Sequence, residues 1–280
     1  MFNICIIKPK DYIHYQAFTE IAELIHFSLL NLNCKSSITF NHLDTNPEKK
    51  NIIFGGHLLN NDLINKVPNN SIVFNTEQIE SNTEEWRERI IKLANRNIEL
   101  WDYSLFNIKF TQDKTNIKAK LFEIGYQGEL NRITHKKTKK VDVLFYGSIN
   151  DRRKIIIDKL IEKNIKVKCL FGVYGKDRDD WIAKSKLVLN MHMYDSKIFE
   201  IIRVFYLMTN GVPVVAEYDD KTKINNNFLM GIKTASYNEL VEMIVYLVNN
   251  ENEREELGHN GLLEIKKYPQ EQFTKKILNL

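Results

Sequence analysis

The chain has 280 residues, of which 43% are hydrophobic and 27% are charged, and its formal net charge is +4 at neutral pH. This length suits two ordinary domains or one large one, and the composition supports folded cores under a charged surface. Much of the positive excess lies in residues 135–140, so it gives little support to nucleic-acid binding. No apolar run approaches the roughly 20 residues of a membrane-spanning helix, and the three cysteines show neither a disulfide nor a metal-binding spacing. We therefore expect a cytoplasmic protein.

The first 127 residues alternate short apolar runs with helical patterns. Apolar residues at helical spacing run from Tyr15 to Leu30, and Thr83 is a typical cap for a second helix. Strands are predicted at Asn3–Ile7, Ser37–Phe40, Asn51–Phe54, Ser71–Phe74 and Ile98–Trp101. This alternation predicts a parallel, Rossmann-like sheet in an N-terminal domain of residues 1–127.

A second series of strands and helices follows a basic segment. Residues 128–140 are predicted to be a linker, and residues 141–267 a second α/β domain. Its later part is predicted to contain strands at Val212–Ala216 and Phe228–Thr234 and helices at Ser236–Asn249 and Glu251–Lys267. Residues 268–280 form a last amphipathic helix, for which we consider packing back against the N-terminal domain.

The first predicted strand of the second domain ends in residues suited to a diphosphate. Gly147 and Ser148 follow it and lead into a helix that begins with Arg152 and Arg153. A glycine lets a ligand approach the backbone, a guanidinium fork matches a diphosphate, and a helix N-terminus favours anions. Adjacent arginines in a first helical turn are also typical of a solvated face, and that alternative stays open.

The second strand end carries Gly172, Tyr174 and Gly175. Tyr174 can stack on a nucleobase, although an ordinary loop aromatic explains it equally well. The acidic run at residues 177–180 has a D-x-D spacing that can hold a divalent ion on a diphosphate. Because these acids directly precede an apolar helical pattern, a helix start explains them better, and no metal site is predicted.

The third strand end is followed by His192 and Tyr194 and then by a helix that is predicted to start near Glu200 and Arg203. These last two residues lie one turn apart on the same helix face. A carboxylate so placed can accept both hydroxyl groups of a ribose, and the neighbouring arginine can bind a phosphate. The alternative is a plain ion pair within the helix, worth only tenths of a kcal/mol.

These segments resemble the donor half of GT-B glycosyltransferases, enzymes that use nucleotide sugars. The resemblance rests on FYGS at Phe145–Ser148, on the segment Ser185–Val204 and on NGVPVV at Asn210–Val215. It extends weakly to the first half, where residues 101–104 and 124–126 look like the segments that join the two domains in bacterial surface-polysaccharide transferases.

The resemblance implies two facing Rossmann-like domains with a cleft between them, and metal-independent glycosyl transfer in polysaccharide biosynthesis. The second domain would bind the nucleotide sugar, and the first would bind a glycan or another hydroxyl acceptor. No cofactor is implied beyond the nucleotide-sugar co-substrate, because arginines and helix N-termini can stabilise the departing diphosphate. Many retaining members carry a second glutamate eight residues after the first, but the eighth residue after Glu200 is Met208, so the stereochemical outcome stays open.

An inverting version of this reaction would need a base near the acceptor hydroxyl, and the first domain offers His57 and Glu77. Each follows a predicted strand, where the carboxyl ends of a parallel sheet face the ligand. Trp101, Asp102 and Tyr103 are candidates for lining the acceptor side, although packing in the protein is the simpler role for Trp101.

Two other classes of function stay open beside the transferase. One is a binding subunit that keeps the fold without catalysis. The other, motivated by the positive charge balance, is a protein that binds or modifies nucleic acid. The basic segment and the last helix leave peripheral association with the inner face of a membrane open as well.

Overall fold

The computed structural model describes residues 1–81, 83–96, 98–224 and 226–280, and it divides into two compact units. The first unit comprises Met1–Gln127 together with Gln270–Leu280, and the second comprises Gly128–Pro269. Each unit contains a sheet whose strands pair in parallel, with helices in the connections. The prediction of a two-domain α/β fold is therefore confirmed.

The sheet of the first unit has the strand order β2-β1-β3-β4-β5-β6. The strand bounds are β1 (Phe2–Ile6), β2 (Ser36–Phe40), β3 (Lys50–Phe54), β4 (Ile72–Asn75), β5 (Glu99–Asp102) and β6 (Lys120–Leu121). β1, β3 and β4 are buried along almost their whole length, as expected for central parallel strands covered by helices on both faces. In the edge strand β2, each residue is half-buried or exposed.

The strands of this sheet are connected by the helices α1 (Thr19–Asn31), α2 (Asn61–Lys66), α3 (Glu84–Asn95) and α4 (Leu105–Thr115). The predicted cap at Thr83 is confirmed, because its hydroxyl accepts a hydrogen bond from the backbone N–H of Trp86. Ser104 caps α4 in the same way. The predicted helix from Tyr15 begins instead as a 3-10 helix at Ile13–Phe18 and becomes α-helical only at Thr19.

The sheet of the second unit has the strand order β11-β10-β9-β7-β8. The strands are β7 (Val141–Tyr146), β8 (Val167–Leu170), β9 (Ser185–Asn190), β10 (Val214–Glu217) and β11 (Lys233–Ala235). The helices are α5 (Asp151–Glu162), α6 (Gly175–Ala183), α7 (Ile201–Thr209), α8 (Leu240–Asn249) and α9 (Glu251–Lys266). The strand predicted at Phe228–Thr234 is partly wrong, since a 3-10 helix at Asn226–Gly231 precedes the shorter β11.

The basic segment 128–140 is part of the second unit rather than a separate linker. Asn210, which follows α7, holds it in place: its Oδ1 accepts from the backbone N–H groups of Arg132 and Ile133 at 2.8 Å each, and its Nδ2 donates to the carbonyl of Leu130 at 2.9 Å. The backbone carbonyl of Asn210 lies 2.7 Å from Nε2 of His135.

The last helix, α10 (Gln270–Leu278), returns to the first unit and packs against α1. The hydroxyls of Ser28 and Thr274 are 2.8 Å apart in this contact, and Gln270 accepts a hydrogen bond from the backbone N–H of Gly125. Throughout the described parts of the chain, no helix combines the length and the apolar character needed to cross a membrane.

Candidate functional site

The strand order of the second sheet reverses between β7 and β9, and ligands of open parallel sheets bind outside the carboxyl ends of the strands at such a point. Gly147 directly follows β7 and has a φ of +130°, a conformation that side chains rarely adopt. A β-carbon there would lie 3.0 Å from Nη2 of Arg203. The glycine therefore provides both the backbone turn and the room for that guanidinium group.

Arg153 lies beneath this turn with only 3% of its side chain exposed. Its guanidinium group donates to the backbone carbonyls of Ser148 at 2.8 Å, His192 at 3.2 Å and Met191. Burial, followed by the charge of Arg203, lowers the pKa of Arg153 to about 10, so it stays protonated at neutral pH. The loops that follow β7 and β9 are thus joined by one buried cation.

Glu200 and Arg203 meet through a third residue, Asn190, which ends β9. Asn190 Oδ1 accepts from Arg203 Nη1 at 2.8 Å, and its Nδ2 donates to Glu200 Oε2 at 2.9 Å. Glu200 precedes α7 as its N-cap residue, and Arg203 lies in the first turn. Glu200 and Arg203 are thus bridged by Asn190 at the switch point, in place of the direct ion pair that their spacing allows.

His192 approaches the same carboxylate. Its Nδ1 lies 3.3 Å from Glu200 Oε2 without the alignment of a hydrogen bond, and Glu200 Oε1 lies 3.6 Å from Arg153 Nη2. Burial opposes the ionisation of Glu200, but the His192 imidazole and the charges of Arg203 and Arg153 outweigh it and hold the pKa of this carboxyl below its usual range. Both His192 Nδ1 and Glu200 Oε1 are buried without a hydrogen-bond partner, which marks them as groups that a ligand can satisfy.

Arg152 is engaged in a different contact. Its two terminal nitrogens bind both carboxylate oxygens of Glu217, the last residue of β10, with Nη1 at 2.7 Å from Oε2. Its guanidinium group also lies 4.1 Å from the ring centre of Tyr237. Glu217 has 1% of its side chain exposed and accepts in addition from the backbone N–H of His192. Nη1 of Arg152 also donates to the backbone carbonyl of His192 at 3.3 Å, so Arg152 ties α5 both to the end of β10 and to the loop after β9.

The second strand end contributes a turn and a helix start. Gly172 and Gly175 have φ values of +68° and +53°, and Tyr174 is the N-cap residue of α6. The acidic run 177–180 lies inside α6, where Asp179 accepts from the hydroxyl of Tyr206 at 2.7 Å. In the described residues, no three His, Cys, Asp or Glu side chains are grouped as metal ligands. Tyr194, on the loop after β9, is 38% exposed.

In the first unit, the structure brings His57 and Glu77 together. His57 Nε2 lies 3.8 Å from Glu77 Oε1, beside a cavity of about 10 Å³, which is room for about one water molecule. His57 is buried against Trp86, with ring centres 4.4 Å apart, whereas 28% of the Glu77 side chain is exposed. Burial, assisted by the charge of Arg89, lowers the pKa of His57 to about 3. The imidazole is therefore neutral at neutral pH.

The three residues predicted for the acceptor side have separate positions. Trp101 is fully buried, stacked on Phe122, and donates its indole N–H to Glu99 at 2.6 Å. It belongs to the core and does not line a surface, because its side chain has no exposed area and its ring packs against those of Phe74 and Phe122. Asp102 is 1% exposed, and burial raises the pKa of its carboxyl to about 7 despite several hydrogen bonds. Tyr103 follows it and is half-buried.

The fold itself is shared with solved glycosyltransferases. HepE from Anabaena, solved in complex with UDP and glucose, superposes with a TM-score of 0.63 at 11% identity over 100% of this chain and 99% of that one. Sucrose-phosphate synthase from Thermosynechococcus elongatus gives a TM-score of 0.61 at 9% identity over 100% and 98% of the two chains. WaaG, a glycosyltransferase involved in lipopolysaccharide biosynthesis, gives 0.57 at 9% identity over 100% and 99%. The chain has the GT-B fold.

Sequence comparison finds a different set of similar proteins. No protein-family model matches the chain. Two uncharacterized proteins of Acanthamoeba polyphaga mimivirus are 28% identical over 198 residues and 29% identical over 205, which is 68% and 69% of this chain. The GT-B chain spans only 26% and 22% of the length of these two relatives. A third uncharacterized protein of the same virus is 25% identical over 254 residues, covering 87% of this chain and 77% of the relative.

Two residues of the cluster at this switch point were not predicted from sequence. Asn190 and Glu217 each end a buried strand, and each holds an arginine that was predicted. A polar residue at the last position of an apolar strand was the available signal. For Glu217 this signal becomes informative only when the strand order is known, since its partner Arg152 comes from the connection after β7.

Proposed function

We propose that the second unit binds a nucleoside-diphosphate sugar and that the chain is a glycosyltransferase acting on a hydroxyl acceptor. The observation that carries this proposal is the buried carboxylate of Glu200 at the topological switch point of a GT-B fold. One of its oxygens has no hydrogen bond, although it lies 3.6 Å from the guanidinium group of Arg153, and Arg203 is bound to the neighbouring Asn190. A site of this kind matches a ligand that has both hydroxyl donors and negative charge.

The diphosphate would bind at the Gly147 turn. Arg203 uses Nη1 for Asn190 and places Nη2 beside Gly147, and Asn150 caps α5 so that the helix N-terminus faces the same turn. Arg203 can then contact a phosphate oxygen while backbone N–H groups of the turn contact another. Positive groups that are fixed before the reaction stabilise the charge that develops on the departing diphosphate.

Glu200 and His192 would bind the ribose part of the donor. Glu200 Oε1 can accept a ribose hydroxyl, and His192 Nδ1 can bond a second one, which would satisfy both unpaired atoms. We assign Arg152 and Arg153 a supporting role, because Glu217 and three backbone carbonyls already occupy their donors. Tyr174, Tyr194 and the glycines at 172 and 175 are the candidates for contacting the base.

On the first unit, Glu77 is the better proton acceptor of the two candidates. His57 is neutral and its pKa of about 3 makes it a poor base at neutral pH, whereas Glu77 carries a partly exposed carboxylate. In the proposed step the acceptor oxygen bonds to the anomeric carbon, the bond from that carbon to the diphosphate breaks with its electron pair, and the hydroxyl proton passes to Glu77.

The donor site is tested by calorimetry with UDP-glucose, UDP-N-acetylglucosamine and GDP-mannose as probes. We expect the wild type to bind at least one of them, and Arg203→Ala and Glu200→Gln each to weaken that binding tenfold or more, or about 1.4 kcal/mol. Arg254→Ala is the matched control, because this buried arginine of the same unit bonds carbonyls of α8 and the side chain of Glu251. Wild-type affinity in Arg203→Ala would remove the site assignment. If the wild type binds none of the probes, the proposed function is wrong.

A further inference from the structure

The backbone of Glu77 is held by side chains rather than by a strand or a helix. Its carbonyl oxygen accepts from Nδ2 of Asn75 and from Nδ2 of Asn107, each at 2.8 Å. Its backbone N–H donates to Asn75 Oδ1 at 3.2 Å. Three hydrogen bonds with two buried side-chain amides, two accepted and one donated by the Glu77 backbone, therefore fix one loop residue.

Asp102 accepts hydrogen bonds from both of these amides. Its Oδ2 accepts from Asn75 Nδ2 at 2.6 Å, and its Oδ1 accepts from Asn107 Nδ2 at 3.2 Å and from the backbone N–H of Ser104 at 2.8 Å. Each of these three neighbours donates to Asp102, and their hydrogen bonds oppose the rise in its pKa that burial causes. Asn75, Asp102 and Asn107 are each at most 1% exposed.

The network lies where the parallel strands end. Asn75 and Asp102 are the last residues of β4 and β5, and they are paired with each other in register. Asn107 lies in the first turn of α4, and its Oδ1 also accepts from the backbone N–H of Ile79 at 3.2 Å. The loop from residue 77 to residue 79 is thus attached to two strand ends and one helix start.

We propose that Asn75, Asp102 and Asn107 are positioning residues for Glu77 and set the place from which its carboxylate accepts a proton. This inference rests on the function proposed above. The three side chains hold the backbone of residues 77 and 79, directly or through one another, while the Glu77 carboxylate is directed to the small cavity it shares with His57. A displacement of about 1 Å in a reacting group can cost on the order of a hundredfold in rate.

The first unit offers a matched control at the opposite end of the sheet. Asn51, the second residue of β3, is also fully buried and makes a comparable set of bonds, to Asp44, Asn3 and Ser71. Replacing Asn51 removes as much buried hydrogen bonding as replacing Asn107 does, but it leaves the Glu77 loop intact. A purely structural role would make the two variants equivalent.

The test measures kcat and KM for the best nucleotide-sugar probe in wild type, Asn107→Ala, Asn51→Ala, Glu77→Gln and the double variant Glu77→Gln/Asn107→Ala. Removing a general base costs about 10²- to 10⁴-fold in kcat, and we expect that for Glu77→Gln. Asn107→Ala should lower kcat at least tenfold with the donor Kd unchanged, while Asn51→Ala keeps kcat within about twofold. The double variant should lose no more than Glu77→Gln alone.

Additive losses in the double variant would overturn the inference, and so would equal losses in Asn107→Ala and Asn51→Ala. Asp102→Asn provides a second route if Asn107→Ala does not fold, because it keeps the shape and turns one acceptor into a donor facing other donors. It should show the same lack of additivity with Glu77→Gln. If the wild type turns over no probe, the proposed function is wrong. If the wild type is active but the losses in the variants are additive, only the positioning role is wrong.

Discussion

Arg203 lies against the backbone of Gly147, so that a β-carbon on that glycine would stand 3.0 Å from Nη2 of the arginine. The contact joins the turn after β7 to the first turn of α7, two segments that are 56 positions apart in the chain. It makes the turn and the guanidinium group interdependent, because a side chain at one displaces the other.

The first prediction concerns this contact. Gly147→Ala should destabilise the protein by about 1–3 kcal/mol, because the φ of +130° suits glycine, and it should also weaken nucleotide-sugar binding by displacing Arg203. Gly211→Ala is the control, since Gly211 has a φ of +63° and a β-carbon there would come no closer than 3.7 Å to its neighbours. Urea denaturation and calorimetry check both effects. Loss of binding in both variants would contradict the specific role of Gly147.

The second prediction concerns the bridge made by Asn190. Asn190→Ala removes a donor to Glu200 and an acceptor from Arg203, and we expect a loss of about 1–3 kcal/mol in the free energy of unfolding together with weaker donor binding. Asn210→Ala loses a similar set of buried bonds in the same unit, and it should lose stability while keeping its donor affinity. Equal donor affinities in the two variants would speak against the bridge.

The third prediction concerns pH. The folded protein resists protonation of His57, because burial and then Arg89 lower the pKa of this side chain from 6.5 to about 3. The unfolded chain binds the proton first, so the free energy of unfolding should fall as the pH drops below 6.5, by up to about 1.4 kcal/mol per pH unit. His57→Phe should lack this part of the slope between pH 6.5 and 3. Burial raises the pKa of Asp102, which has the opposite effect on the pH dependence, but Asp102 is present in both proteins and its contribution cancels in the comparison. If the free energy of unfolding depends on pH in the same way in the wild type and in His57→Phe, the burial of a neutral imidazole is contradicted.

The fourth prediction concerns close packing of α9. A β-carbon on Gly258 would lie 2.4 Å from the carbonyl oxygen of Gly211, a backbone atom that cannot move aside. Alanine normally stabilises a helix by about 1 kcal/mol relative to glycine, but Gly258→Ala should destabilise this protein by about 1–3 kcal/mol through overpacking. Asn260→Ala, at an exposed position of the same helix, should be neutral or slightly stabilising. Thermal and urea denaturation of both variants give the sign of the change in the free energy of unfolding.

Local pattern was sufficient for much of the secondary structure. Strands such as β3 and β4 were predicted to within one residue at each end, because a short buried strand is a nearly unbroken apolar run bounded by polar residues. The start of α1 and the stretch at Phe228–Thr234 were less well predicted, since a 3-10 turn and a short strand carry similar apolar content. The helices α2 and α4 have weak apolar periodicity and were not predicted.

The amino-acid sequence by itself determined two parallel α/β units and the strand ends at which glycine, arginine and glutamate gather, because these depend on local periodicity and turn chemistry. The tertiary structure decided which of those groups meet. Asn190 at the end of β9 meets Arg203 of the helix that follows, Glu217 at the end of β10 meets Arg152 of α5, and one oxygen of Glu200 keeps no hydrogen bond. Arg152 and Glu217 are 65 positions apart and belong to different connections, so the geometry of this pair exists only when the strands lie side by side.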